Sequence, residues 1–311
     1  MFNLVEKRRW TFLVSAVLVL IGLAAMVTST IVSGSPFNLS IDFTSGSLLE
    51  VEFQQPVSAE DVRAELLAAG YTDAKVTMVG GESRGAVIRT ELIELDAKQV
   101  LVARLNEKFG ALTEMRFESV GPAVGRETTR AAGLAILAAS VAILFFVAIA
   151  FRKVPNAFRY GVCAIIKMFH DVLVILGLAS LMGWLAGWEI DSLFLTAMVT
   201  VVGFSVQDVI VVFDRIRENI RRRRGEPFET IVNRSLLETL HRSLATQLNA
   251  IFIMVAIIFF GGVTIRQFMI VMLVGMITGT YSSLFIAVPL LVVWERGDLG
   301  RLFRRKEAAA A

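Results

Sequence analysis

Apolar residues in this chain come in long runs, and most of the polar residues fall in one block between the first two runs. The runs read as Phe12–Val32, Arg130–Phe151, Val172–Trp188, Ile190–Phe213, Ser243–Gly262 and Gln267–Trp294. A helix rising 1.5 Å per residue needs roughly 20 apolar residues to cross ~30 Å of hydrocarbon. The pattern therefore predicts six transmembrane helices. The third has an alternative start nearer Gly161, and the sixth is long enough to tilt or to end in an interfacial piece. The first run follows Lys7, Arg8 and Arg9, as a secretory signal would. A signal's apolar core is only about 7–15 residues, so a retained helix is expected.

The polar block, residues 33–129, changes period. Ser47–Phe53 alternates partly, as a strand does. Ser58 is a helix cap with Asp61 three residues on, and Gly70 stands where that helix stops. Lys75–Val79 and Ala86–Leu92 flank Gly80-Gly81 as a hairpin, Asp96–Phe109 is a helix stopped by Gly110, and Thr113–Val120 is again a strand. The order strand, helix, strand, strand, helix, strand is the ferredoxin-like split βαβ arrangement. The expected fold is thus a polytopic α-helical membrane protein carrying one ferredoxin-like α+β domain between helices 1 and 2. Its divisions are residues 1–32, 33–129, 130–295 and a basic tail at 296–311.

Charge sets the orientation. Lys7, Arg8 and Arg9, then Arg152, Lys153 and Arg159, then Arg215, Arg217 and Arg221 to Arg224, then Arg296, Arg301, Arg304, Arg305 and Lys306 fall on alternate connections. The other short connections hold only Arg266. By the positive-inside rule both termini are cytoplasmic and the α+β domain is exported. At that position the four-arginine run reads as a topology signal against anionic lipid, not as a nucleic-acid patch.

Composition narrows the chemistry. The chain is 55% hydrophobic over 311 residues, above the roughly 45–50% of soluble domains. Cys163 is the single cysteine, which excludes an intrachain disulfide, and His170 and His241 offer no zinc spacing. No Gly-x-Ser-x-Gly, P-loop or metal-ligand motif is present, so no enzyme and no cofactor is expected. With no nucleotide site, any work would be driven by an ion gradient.

The residue that stands out is Asp208, an acid inside an apolar run. Ionisable groups at membrane depth are expensive and mark ion or proton pathways. Ser205 shares its helix face at i, i+3, and Gln207 adjoins it. On the fifth helix Arg242, Thr246 and Asn249 fall at i, i+4 and i+7, one face. If the two faces meet, Arg242 approaches Asp208. Low dielectric penalises a carboxylate and a guanidinium favours it, so helix movement would take up or release a proton. The competing reading is a static polar pair that fixes packing. Lys167 and Asp171, at i, i+4, read as a structural pair near the cytoplasmic edge. Asp214, Arg215 and Arg217, with Glu218, are expected to end the fourth helix and anchor it at the surface, and Asp42 to anchor a turn. Gly275, Gly279 and Ser283, and Ala131, Ala135, Ala138 and Ala142, form small-residue stripes suited to close helix packing.

The stretch Gly203-Phe-Ser-Val-Gln-Asp208-Val-Ile-Val-Val-Phe-Asp214-Arg-Ile-Arg-Glu-Asn219 closely resembles the fourth-helix signature of the SecF branch of the SecD/SecF protein-export family. Ile41-Asp-Phe-Thr-Ser-Gly46, His170-Asp171, Glu238-Thr-Leu-His-Arg242-Ser and Phe260-Gly-Gly262 resemble its other motifs, in order and over nearly the whole chain. Ser40 and Ser45 stand where the family usually has glycines, Gln207 where it has Asn, and Val209 where it has Thr. The resemblance implies a SecD partner with a related six-helix bundle and work beside the SecYEG channel, with accessory proteins of the YidC and YajC type. It further implies use of the proton gradient to draw preproteins across the cell membrane, and kinship with proton-driven exporters of the resistance–nodulation–division (RND) type. It assigns proton movement to Asp208 and Arg242. The alternative is half of an RND small-molecule or lipid exporter, although such exporters generally carry twelve helices and two large exported loops.

Overall fold

The computed structural model describes residues 8–79, 84–152, 157–223 and 225–297, apart from the side chains of residues 151, 263 and 264. The Gly80-Gly81 turn and the basic tail lie outside the described residues. The elements in chain order are α1 Arg8–Ser33, α2 Ile41–Thr44, β1 Gly46–Phe53, α3 Ala59–Ala68, β2 Lys75–Val79, β3 Gly85–Thr90, α4 Leu95–Phe109 and β4 Leu112–Val120. They continue as α5 Pro122–Phe151, α6 Ala157–Ala186, α7 Ser192–Arg222, α8 Phe228–Phe260, α9 Val263–Ser282, a π-helical turn Ser283–Ala287 and α10 Val288–Glu295. Among the described residues six helical stretches are long and apolar enough to cross a membrane, the last being Ile265–Glu295. Two units emerge, Met1–Phe37 with Ile136–Trp188 and Leu193–Ala311, and Asn38–Ala135 with Glu189–Ser192.

The smaller unit holds a four-stranded antiparallel sheet in the order β2-β3-β1-β4, with β1 paired to both β3 and β4. This is the predicted ferredoxin-like topology. Alternation turns Leu49, Val51 and Phe53 of β1 inward, where they meet Ala86 and Ile88 of β3, Val62 and Leu66 of α3, and Leu101 and Leu105 of α4. The Ser58 hydroxyl caps α3 by accepting from the Asp61 N–H at 3.1 Å. Gly110, at φ 83°, closes α4 in the left-handed region that glycine tolerates. Arg104 and Lys108 of α4 both donate to the buried Glu65 of α3. The hydrogen bond from Lys108, then that from Arg104, holds the Glu65 carboxyl below its ordinary range.

Two details were not foreseen. The motif after α1 forms a one-turn helix, α2, capped by Ser40, whose hydroxyl accepts from the Asp42 N–H at 3.2 Å. Asp42 in turn accepts from the Ser192 N–H at 3.0 Å and the Ser192 hydroxyl at 2.8 Å, so it holds the first turn of α7. This is the anchoring role expected of it. Ile190 donates to the Asn38 carbonyl at 2.7 Å and accepts from the Ser40 N–H at 3.0 Å. Glu189 pairs with Arg89 of β3. Burial pushes the Glu189 carboxyl up, and Arg89 opposes that push.

The second detail is Ser45, at φ 65° and ψ 170°. That region is open to glycine and costs other residues about 1–3 kcal/mol. Its side chain lies against Gly125 so closely that a Cβ there would collide with the Ser45 hydroxyl. Ser45→Gly is expected to stabilise the protein by about 1 kcal/mol, read as a rise in Tm of a few degrees. A fall in Tm would show that the Ser45 hydroxyl holds more than its backbone costs.

In the larger unit α1 lies on α6 through Gly22 and Gly177. A Cβ on Gly177 would stand 2.5 Å from the Gly22 Cα. Val206, Val209, Val212, Phe213 and Ile216 of α7 form the centre of a core with Cys163 and Ala164 of α6, Val232 and Leu236 of α8, and Leu284 to Val292 of the last helix. The stripe on α9 packs inward against α7, Gly275 on Val201 and Gly279 on Ser205. The alanine stripe on α5 is exposed in this chain. The wide turn at Ser283–Ala287 ends two residues before Pro289, which has no N–H to offer the carbonyl four residues back.

The fourth apolar helix does not end near Asp214, as the sequence led one to expect. It runs on to Arg222, because Glu/Arg pairs at i, i+3 and i, i+4 support the extension. Asp214 pairs with Arg217 at 2.5 Å, and Arg215 bridges Glu218 and Glu238 of α8, both at 2.6 Å. Glu229 at the start of α8 is shared by Arg8, at 3.1 Å, and Arg296.

Candidate functional site

A cluster of polar side chains lies inside the larger unit where α6, α7 and the end of α9 meet. Lys167 and Asp171 of α6 are both 0% exposed, one turn apart on the same face. The Lys167 ammonium donates to the Ser205 carbonyl at 2.6 Å and to the Ser205 hydroxyl, and its Nζ stands 3.1 Å from Asp171 Oδ2. An ammonium has three N–H donors, and here three oxygens face it. The Ser205 hydroxyl donates to Asp171 Oδ2, and Asp171 Oδ1 lies 3.1 Å from His170 Nδ1. Close packing at Gly279 lets α9 approach Ser205, and the Ser283 hydroxyl, which donates to the Gly279 carbonyl at 2.8 Å, lies 3.5 Å from the Ser205 carbonyl.

Asp208 sits one turn after Ser205. It is buried, with the hydroxyls of Ser243 on α8 and Ser283 toward it and the Lys167 charge nearby. Its Oδ2 atom is buried and has no hydrogen-bond partner among the described residues. That distinguishes it from Asp171, whose two oxygens are both engaged. The cluster thus holds two carboxyls and one ammonium away from water. Asp208 is the carboxyl of the cluster with an oxygen that no donor meets.

The expected partners of Asp208 are only partly found. Ser205 is beside it. Arg242, Thr246 and Asn249 are exposed on a neighbouring face of α8, where the Thr246 hydroxyl donates to the Arg242 carbonyl at 3.0 Å. Gln207 is exposed on α7. The face of α8 that is buried is one residue further round, Thr239, Ser243 and Gln247 at i, i+4 and i+8. The charged residue of this chain that meets the site is Lys167, which the sequence placed at the cytoplasmic edge. The signal was the i, i+4 pair itself, set inside an apolar stretch that begins near Gly161. The later helix start, at Val172, hid it.

Six helices long and apolar enough to span a membrane, with a buried cluster of charged side chains among them, define a multi-pass membrane protein. Residues 101–297 match the family described as protein export membrane protein SecD/SecF, C-terminal, and residues 30–57 match the SecD/SecF GG motif. The protein translocase subunit SecF of Anaerolinea thermophila is 47% identical over 310 residues, 98% of each chain. That of Thermobaculum terrenum is 50% identical over 283 residues, 88% of this chain and 89% of the other. The solved structure of SecDF, a translocon-associated membrane protein from Thermus thermophilus, superposes with a TM-score of 0.77 at 33% identity and covers 95% of this chain. This chain spans 39% of the length of that SecDF chain. The chain belongs to the SecD/SecF family of protein export membrane proteins.

Proposed function

We propose that this chain is an accessory subunit of the Sec protein-export machinery, which works with a SecD-type partner and uses the proton gradient to promote preprotein translocation across the cytoplasmic membrane. It is a transport component, and its work is conformational. Similarity to SecF translocase subunits across both chains' full length supports the export role, and the matching SecDF chain supports the partnership. The buried Asp208, with one oxygen lacking a donor, is the observation that carries the proton reading. The positive-inside pattern supports a reading with both termini in the cytoplasm and the ferredoxin-like unit outside, where it would meet the emerging preprotein.

The exposed polar residues on membrane helices fit the same reading. Gln207, Arg242, Thr246 and Asn249 would leave polar groups facing lipid if this chain stood alone. The related bundle of the partner would cover them, and Arg242 would act on proton movement across that contact and not by direct pairing within the chain. SecYEG is the expected neighbour, with YidC- or YajC-type proteins alongside. Purification of the tagged full chain from its own membranes is expected to bring down a SecD-type protein and the translocon. Recovery of a periplasmic adaptor and an outer-membrane channel in their place would contradict the reading and point to a small-molecule exporter.

A further inference from the structure

We propose that the Lys167 ammonium is a built-in cation, filling an oxygen cage suited to a sodium-sized ion and so restricting this chain's coupling ion to the proton. The inference rests on the gradient-driven reading given above and names the ion that the site accepts.

The geometry carries it. Hard monovalent cations are held in membrane transporters by backbone carbonyls, hydroxyls and carboxylates that replace the hydration shell. Such a set surrounds Lys167 Nζ: the Ser205 carbonyl, the Ser205 hydroxyl and Asp171 Oδ2. The Ser283 hydroxyl lies 3.5 Å from the same Ser205 carbonyl, and Asp208 is close enough to feel the ammonium's charge. The site is wholly enclosed, with Lys167 and Asp171 at 0% exposure. Every N–H of the ammonium has an oxygen, so no vacancy remains for a second cation. A tethered charge also cannot leave. A soluble cation can neutralise Asp171 only when the lysine is absent, whereas a proton needs no cage of oxygens. The groups that face Lys167 are therefore Asp171 on its own helix, Ser205 and Asp208 on α7, and Ser283 after α9.

The test uses the full-length chain in lipid nanodiscs, unfolded thermally in sodium chloride or in choline chloride of equal ionic strength. The wild type should melt at one temperature in both salts. Lys167→Ala leaves Asp171 buried without a counter-charge, so its Tm in choline should fall by about 5–10 °C. Sodium should restore most of that fall with a saturating dependence on concentration. A double variant, Lys167→Ala with Asp171→Asn, carries no charge to neutralise and should melt alike in both salts. Sodium-specific stabilisation of the wild type would overturn the proposal. So would a Lys167→Ala chain that stays unstable, or is never recovered folded, with sodium present throughout, and so would a sodium response in the double variant. None of these readouts involves export, so they are independent of whether Asp208 couples a gradient to translocation.

Discussion

Asp208→Asn is expected to give a subunit that folds, inserts and holds its partner, but no longer responds to the proton gradient. Asparagine keeps the shape of the side chain, yet it cannot gain or lose a proton. One elementary charge moving through 100 mV carries about 2.3 kcal/mol, enough to bias a two-state helix arrangement roughly 50-fold. Without titration at Asp208 that bias has no handle in this chain. In inside-out membrane vesicles carrying the variant, the gradient-stimulated part of preprotein translocation should fall to the level seen with the gradient collapsed. The translocation that persists with the gradient collapsed should continue unchanged. Full gradient stimulation in a variant shown to be present at normal levels would remove Asp208 from the mechanism.

Gly177→Leu is expected to have the largest effect on stability. At Gly177 a Cβ alone would stand 2.5 Å from the Gly22 Cα, and on Gly22 it would stand 2.9 Å from the Gly177 Cα. Both obstacles are backbone, so neither can move aside without parting α1 from α6. Overpacking of this kind costs about 1–3 kcal/mol when neighbours can shift, and a leucine against backbone belongs at or above the top of that range. Gly177→Ala should already lower Tm. Gly203→Ala supplies the control: nothing lies within 4 Å of a Cβ there, and alanine is the better helix former by about 1 kcal/mol. Thermal unfolding in nanodiscs should therefore separate the two alanine variants in sign. If both raise Tm, the close approach of α1 and α6 is not a feature of the folded protein.

Much of the architecture is written in period and length. Apolar runs fix the six spans because the bilayer leaves a helix no other way to satisfy its backbone. The ferredoxin-like unit follows from strand alternation and from stops such as Gly70 and Gly110, each at positive φ. The short helix α2 escaped notice because its cause is a single hydroxyl cap at Ser40, and Ser45 gives no sign in sequence of the backbone angle it adopts. Asp208 was legible because an acid within an apolar run has few innocent explanations. Its surroundings were less so. The face Arg242–Thr246–Asn249 and the face Thr239–Ser243–Gln247 differ by about one residue of rotation on α8, and both are polar, so spacing alone does not choose between them. Lys167 was misjudged for a related reason: its charge made the helix look shorter than it is, although its ammonium ends up fully matched in the interior.

The central claim is that the Asp208 carboxyl gains and loses a proton as the helices around it rearrange. Infrared difference spectroscopy of the chain with its partner in lipid measures this directly, with Asp208→Asn used to assign the carboxyl C=O stretch. A protonated-carboxyl band assigned to Asp208 should appear and disappear between conditions with and without a proton gradient. A side chain that stays in one ionisation state under both conditions would contradict it.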